Sequence, residues 1–430
     1  MSKTSGRQAF LAYAMGVVAG VLGTLIWKQW FPDPEDRDVR EYREVRDFVA
    51  STFVRSLDKQ ELLERSLRGM TRSLDPYSRY YDRAESDEFE QETQGNYPGI
   101  GVVMRQVEGR ARVLFAVPGS PADRAGLLSG DAILSVDGVK SADLPWDEFA
   151  EHMRGPAGSL VALELQGTDG ALRSVEVPRG LVPDPSVRHV EWLDVPGGTS
   201  YISVHGFSRR TPDEFDRAMS EMEPARALVL DLRDNLGGVM ESAVAIADRF
   251  LSTGEILRTE SRTASESHVA KEGTTLWPDL PMVVLVNGSS ASAAEILAAS
   301  LQDHRRAVLL GEPTYGKGVV QEIRRFPEFG TRAKVTSAYY YSPSGRLFER
   351  SAEAGRTYGI MPDVRVELTA GEQNGVRDYL AGYGTPKAVR EALHTWQTRE
   401  SVPQADYLPR DRQVLAALEL LADHRPEPRD

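Results

Sequence analysis

A chain of 430 residues with a formal net charge of −13 is long enough for about three domains. Its acidity argues against a nucleic-acid surface. It has no cysteine, which excludes disulfides, thiolate catalysis and cysteine metal sites. Its seven histidines include no His-x-x-x-His or His-Glu-x-x-His pair, so neither a zinc site nor another bound cofactor is expected.

In chain order, residues 8–27 carry no charge and follow Lys3 and Arg7. This apolar stretch has the length and charge flank of a bilayer span, with Trp27 and Trp30 placed for an interfacial belt. It exceeds the usual signal core, so residues 1–32 are read as a cytoplasmic stub and an uncleaved anchor in a bacterial-type inner membrane. The body of the chain then lies on the periplasmic, extracytoplasmic side. Gly16-Val-Val-Ala-Gly20 is a weak helix-pairing pattern, compatible with a homo-oligomer.

Residues 33–94 are charged and helical in pattern, with Val45, Phe48, Val49, Phe53, Leu57, Leu62, Leu63 and Leu67 forming an apolar stripe. Residues 95–180 read as a compact β-rich module whose strand-like runs are separated by Gly, Pro and Asp turns. Residues 181–368 alternate strands (201–204, 227–232, 282–286, 307–310) with helices (211–222, 239–251, 293–302). That alternation predicts a layered α/β core. The tail, residues 369–430, contains one further helical stretch at 411–421.

The chemistry concentrates between residues 286 and 321. A buried strand, Met282 to Val286, ends at Asn287-Gly288, and a helix follows, which places Ser292 at a strand-to-helix junction. Lys317 stands between two glycines ahead of a further strand, with Gln321 on its side. A serine hydroxyl needs a base to take its proton, and a lysine serves only when neutral. Lowering a free lysine from about 10.4 to about 7.5 requires roughly 4 kcal/mol, which apolar burial supplies. Gln321 can orient the amine without adding charge. Ser292-x-x-Glu295 also satisfies a capping box, a purely structural explanation of the same residues.

The segments Asn287-Gly-Ser-Ser-Ala-Ser-Ala-Ala-Glu-Ile-Leu297 and Gly311-Glu-Pro-Thr-Tyr-Gly-Lys-Gly-Val-Val-Gln321 resemble the catalytic segment of the carboxyl-terminal processing (tail-specific) proteases. The resemblance puts that family's Ser–Lys dyad on Ser292 and Lys317 and its lysine-orienting glutamine at Gln321. Leu230-Asp-Leu-Arg-Asp-Asn-Leu-Gly-Gly238 resembles the family's Gly-Gly motif, with Leu236 where proline is common. It implies an oxyanion hole from the N–H of Gly237 or Gly238 together with that of Ala293. Pro118 to Leu134 resembles a PDZ domain, which makes Gly99, Ile100, Gly101 and Val102 its carboxylate-binding loop for a peptide C-terminus.

The resemblance, across residues 40–368, implies a layered α/β protease core of the crotonase-like or ClpP-like kind, with an inserted-type PDZ domain, a helical N-terminal region and a membrane segment. It implies a serine endopeptidase without metal or ATP. Its expected partners are proteins or peptides with exposed C-termini, and a homo-oligomer or regulatory adaptor.

Three other readings compete. A Ser-His-Asp enzyme is disfavoured because His304 lies roughly 18 Å along the same helix from Ser292. A non-catalytic adaptor that binds C-termini would have no use for an intact dyad. A crotonase-type thioester enzyme would have none for a PDZ module.

Overall fold

In a computed structural model the described residues are 37–107, 109–194, 198–350, 358–400 and 408–422. The apolar stretch at 8–27 lies outside them. Among the described residues no helix is long and apolar enough to cross a membrane.

The described chain divides between Tyr80 and Tyr81. The first unit contains helices α1 (Arg37–Thr52) and α2 (Lys59–Arg72). The predicted stripe on α1 is not buried: Val45 is 57% and Phe48 66% exposed.

The second unit opens with α3 (Arg83–Thr93), fixed at its start by a reciprocal capping box between Asp82 and Glu85. The β-rich module follows as β1 (Asn96–Gly99), β2 (Val102–Val107), β3 (Arg110–Ala116), α4 (Pro121–Arg124), β4 (Ala132–Val136), α5 (Trp146–Glu151), β5 (Leu160–Gln166), β6 (Leu172–Pro178) and β7 (Gly180–Pro183). Strands β2 to β6 form an antiparallel sheet in sequence order, with β2 on its edge. Alternate residues of β5, Val161, Leu163 and Leu165, are fully buried, as a half-buried strand requires. The ribbon β1–β7 pairs the chain entering the module with the chain leaving it, so the module is an insertion that returns the chain to its starting point.

The α/β core comprises β8 (Val187–Trp192), β9 (Thr199–Val204), α6 (Thr211–Glu221), β10 (Ala227–Asp231), α7 (Met240–Asp248), β11 (Glu255–Ser261), β12 (Ser265–Val269), β13 (Met282–Val286), α8 (Ala293–Asp303), β14 (Val308–Gly311), β15 (Val319–Phe326), β16 (Thr331–Tyr341) and β17 (Val364–Arg365). Its main sheet has the order β8-β9-β10-β13-β14-β17, parallel except for β8. Strands β9, β10, β13 and β14 and helices α6, α7 and α8 fall within about three residues of where periodicity places them. The hairpin β11–β12, which buries only Ile256 and Leu257 at the start of β11 and is otherwise largely polar, was not marked by any periodicity.

The main sheet is buried on both faces because its strands are apolar at consecutive positions. Ile202, Leu228, Leu230 and Val284 pack with α6, α7 and α8. Their neighbours Tyr201, Val229, Val283 and Leu285 face the opposite way, into the C-terminal helices α9 (Ala370–Ala381) and α11 (Arg412–Ala422). The tail, whose helix at 411–421 the sequence marks without saying what it packs on, is therefore the second covering layer of the core. Between these two helices, α10 (Lys387–Arg399) instead sets Leu393 and Trp396 against Phe115 of the β-rich module.

Candidate active site

Strand β13 delivers the chain to Asn287, whose side chain fixes the turn that follows. Its Oδ1 accepts from Ser289 N at 3.1 Å and from Asp234 N at 3.0 Å. Ser290 Oγ donates to Leu232 O at 2.7 Å, and Ala291 N donates to Asn235 O at 2.9 Å. The Ser292 turn and the Asp231-Leu-Arg-Asp-Asn loop are thereby bonded to each other along their length. Ser292 sits at the head of α8 with φ 56° and ψ −114°. That left-handed backbone is strained for a residue with a Cβ and is held by its surroundings.

Glu295 organises the site. It is completely buried, and its Oε2 accepts from Ser292 N at 2.9 Å and Lys317 N at 2.8 Å. Its Oε1 accepts from Gly316 N at 2.7 Å and Thr314 Oγ1 at 2.6 Å. Burial pushes this carboxyl above the ordinary glutamate range, and the four donors act against that. The helix-capping reading of Glu295 holds for its bond to Ser292 N. The same carboxylate also carries the loop that presents Lys317, a role that no local pattern announces.

Lys317 lies in the loop before β15, not on the strand. The expectation that strand alternation aligns it with Gln321 therefore fails, and a β-bulge between Val320 and Gln321 breaks the alternation as well. Both residues nonetheless line one cleft with Ser292. Burial first, and the Lys334 ammonium second, hold Lys317 below the usual lysine range, while Glu349 and Glu295 act in the opposite sense. Glu349 also accepts from Gly318 N at 2.5 Å.

Gly237 lies directly over Ser292. A Cβ there would come within 2.8 Å of Ser292 Cβ and 3.0 Å of Ala293 N, and its φ is +96°. Its own N–H donates to Asn235 Oδ1 at 2.8 Å, so of the two glycines it is the one already engaged. Gly237 O accepts from Phe207 N at 2.9 Å. In a trans peptide this turns the Gly238 N–H away from Phe207. The Ala293 side chain is buried away from the cleft, but its backbone N lies beside Gly237, which lines the cleft. Leu236, at the position where proline is common, is 73% exposed at the cleft.

The cleft, about 1630 Å³ in volume, runs from Ser292 to Gly99, Ile100, Gly101 and Val102. In that loop Ile100 O accepts from Ala122 N at 2.7 Å and Gly101 O from Val117 N at 2.8 Å. With both carbonyls tied inward, the N–H groups of Gly101 and Val102 face the other way. Gly101 has φ +76°, and a Cβ on it would lie 2.3 Å from Ser120 Cβ.

His304 caps the far end of α8, with Nε2 2.7 Å from Glu255 O, and is not on the cleft. It cannot serve Ser292. Asp303 beside it accepts from Ser344 N and pairs with Arg346. His205 does line the cleft, and burial holds its imidazole down at about 4. Among the described residues no cluster of side chains is arranged to hold a metal ion.

Residues 198–366 match the family profile of peptidase family S41, and residues 113–167 that of the PDZ domain. A carboxy-terminal-processing protease of Bartonella bacilliformis is 33% identical over 341 residues, 77% of this chain and 75% of that one. The chain belongs to peptidase family S41. It is a serine peptidase with a PDZ domain. The carboxyl-terminal-processing protease of a Picosynechococcus species is 32% identical over 380 residues, 83% of this chain and 89% of the relative. The carboxy-terminal processing protease CtpA of Bacillus subtilis is 31% identical over 324 residues, covering 74% and 67%.

Proposed function

We propose that this S41 peptidase reads the C-terminal tails of protein substrates with its PDZ loop and cleaves them with a Ser292–Lys317 dyad. Ser292 Oγ attacks the scissile carbonyl while neutral Lys317 takes its proton. The oxyanion is held by the N–H groups of Gly238 and Ala293, because Gly237 already donates to Asn235. Lys317 returns the proton to the leaving amine, and water hydrolyses the acyl-enzyme with the lysine again as base. Gln321 orients the lysine amine. The observation that carries this reading is the single cleft shared by Ser292, Lys317, Gln321 and the Gly99-to-Val102 loop, together with the burial that keeps Lys317 below its ordinary range.

The uncharged stretch at 8–27 anchors this body to the inner membrane, facing the periplasm. The exposed apolar residues of α1, which begins ten residues after that stretch ends, are available for self-association. Both belong to the proposal.

The test is cleavage of an unfolded protein, and of matched peptides with free or amidated C-termini, by a soluble form starting near Pro34, with Ser292→Ala and Lys317→Ala beside it and a chelator present. Cleavage that vanishes in both variants, survives chelation and prefers a free carboxylate supports the whole reading. Persistence in Lys317→Ala sinks the proposed base. Cleavage indifferent to amidation sinks the tail-reading role.

A further inference from the structure

The Asp231-Leu-Arg-Asp-Asn loop is held from a second side by the C-terminal helix. Leu232 points into the core on the α8 side. Arg233 points the other way and is 2% exposed. Its guanidinium clasps Asp231, with Nε 3.0 Å from both carboxylate oxygens. Its Nη1 donates to Gln413 Oε1 at 2.9 Å and pairs with Asp411 Oδ2 at 2.7 Å. Asp411 is 1% exposed and Gln413 fully buried. They stand at the N-terminus of α11, 180 residues along the chain from Arg233. Asp411 Oδ1 caps that helix by accepting from Gln413 N at 2.9 Å. Gln413 is in turn fixed by donating Nε2 to Val366 O at 2.7 Å. Tyr201 OH completes the set on Asp231 Oδ2 at 2.6 Å.

Such a cluster is a poor way to gain stability, because well-packed apolar residues in the same volume usually do as well or better. What it supplies is direction. Charge-assisted bonds of fixed geometry hold Arg233 at one orientation, and Arg233 begins the loop that ends four residues later at Gly237, over Ser292. Asn235 fixes the middle of that loop, with Nδ2 on Val204 O at 2.7 Å and Oδ1 on Gly237 N. We infer that Asp411 and Gln413 are positioning residues for hydrolysis: through Arg233 they set the Gly237-Gly238 turn in the place where it meets the oxyanion. The C-terminal helix is thereby part of the catalytic apparatus without touching substrate. This rests on the Ser292 reading above.

The test compares Asp411→Asn and Gln413→Leu with the wild-type protein. Activity is measured on a fluorogenic peptide well below each variant's melting temperature, so that only folded enzyme is compared. In Asp411→Asn kcat falls about 30-fold, between no effect and the loss of a whole oxyanion donor, while KM stays within about threefold. The inhibition constant of a peptide aldehyde, whose hemiacetal oxygen occupies the oxyanion position, rises in parallel with the fall in kcat. A merely structural role would lower the melting temperature and leave both quantities unchanged in the folded enzyme, and that result overturns the inference. If Asp411→Asn does not fold, Gln413→Leu leaves both charges in place and decides: a kcat loss of about fivefold or more supports the positioning role, and an unchanged kcat refutes it. Ser292→Ala run in parallel separates the two levels. Cleavage that survives it removes the Ser292 reading and this inference with it. Cleavage that needs Ser292 but ignores Asp411 and Gln413 removes the inference alone.

Discussion

Glu295→Gln is the sharpest test of how the dyad is assembled. The substitution keeps the volume and removes one acceptor oxygen. Each carboxylate oxygen accepts two bonds: Oε2 from Ser292 N and Lys317 N, Oε1 from Gly316 N and Thr314 Oγ1. A glutamine must turn its NH2 toward one of these pairs. If the amide faces Oε1's partners, Gly316 N is left opposite another donor. If it faces Oε2's partners, both Ser292 N and Lys317 N are. At least one buried N–H therefore loses its acceptor, which costs about 1–3 kcal/mol, and the remaining bonds lose their charge assistance.

A total near 2–4 kcal/mol corresponds to a fall of roughly 5–15 °C in melting temperature. The kinetic loss is larger than folded-state stability alone implies, because the two reacting groups are displaced relative to each other. A shift of about 1 Å in a catalytic pair lowers kcat on the order of 100-fold. Circular dichroism melting and steady-state cleavage of a peptide, measured on the same preparation, check both numbers. Glu295→Gln with wild-type melting and kcat within threefold would refute the argument that this carboxylate holds the serine and lysine in register.

The remaining predictions concern the lysine and the two glycine loops. Activity in kcat/KM rises with pH as Lys317 loses its proton, with the acid limb below the free-lysine range because burial and Lys334 lower that pKa. Removing the Lys334 charge as Lys334→Gln raises the Lys317 pKa and moves the limb to higher pH. Glu349→Gln lowers it and moves the limb down, and a pair of pH–rate profiles shifting in the same direction would contradict the assignment. Lys317→Met abolishes cleavage yet raises the melting temperature at pH 7, because burial disfavours the charged amine. The sign follows from linkage: a lysine lowered in the folded state penalises folding below its unfolded pKa, and the gain disappears as pH rises past that value. Gly101→Ala, whose Cβ would lie 2.3 Å from Ser120 Cβ, removes the preference for a free over an amidated C-terminus. Cleavage of short internal peptides remains, and competition assays with the two peptide forms separate these effects.

Much of the core was legible because its information is local. Leu228, Val229 and Leu230 are fully buried together, which a continuous apolar run already implies for a strand covered on both faces. Ser292 and Lys317 each stand in a dense motif of small residues and glycines, which is why they stand out as candidates, and the fold brings both to one cleft. What was not legible depends on partners distant in sequence. Amphipathic periodicity in α11 says that one face is buried, but not that the face is the second layer over sheet strands far earlier in the chain. Lys317 and Gln321 do line one cleft, but single-strand alternation is not the reason, because Lys317 precedes β15 and a bulge at Val320 and Gln321 shifts the register. The open face of α1 shows the converse, since a correct apolar stripe does not reveal whether anything covers it.

The capping box at Ser292 and Glu295 bears on how such patterns should be weighed. From sequence, helix capping and catalysis were rival explanations of the same four residues. In the fold the two are compatible, because the carboxylate that caps Ser292 N also holds the loop of the proposed base, Lys317. The N-terminus of a helix presents unsatisfied N–H groups, so a carboxylate placed there is held in a known position, and its unused lone pairs point outward. Glu295 uses those to accept Gly316, Lys317 and Thr314. A cap that also receives three donors from a loop about twenty residues on is a means of fixing that loop against the helix start, where Ser292, the proposed nucleophile, stands. The structural reading of the pattern was therefore correct and incomplete. The observation that separates the two cases is whether the capping carboxylate has partners outside its own helix.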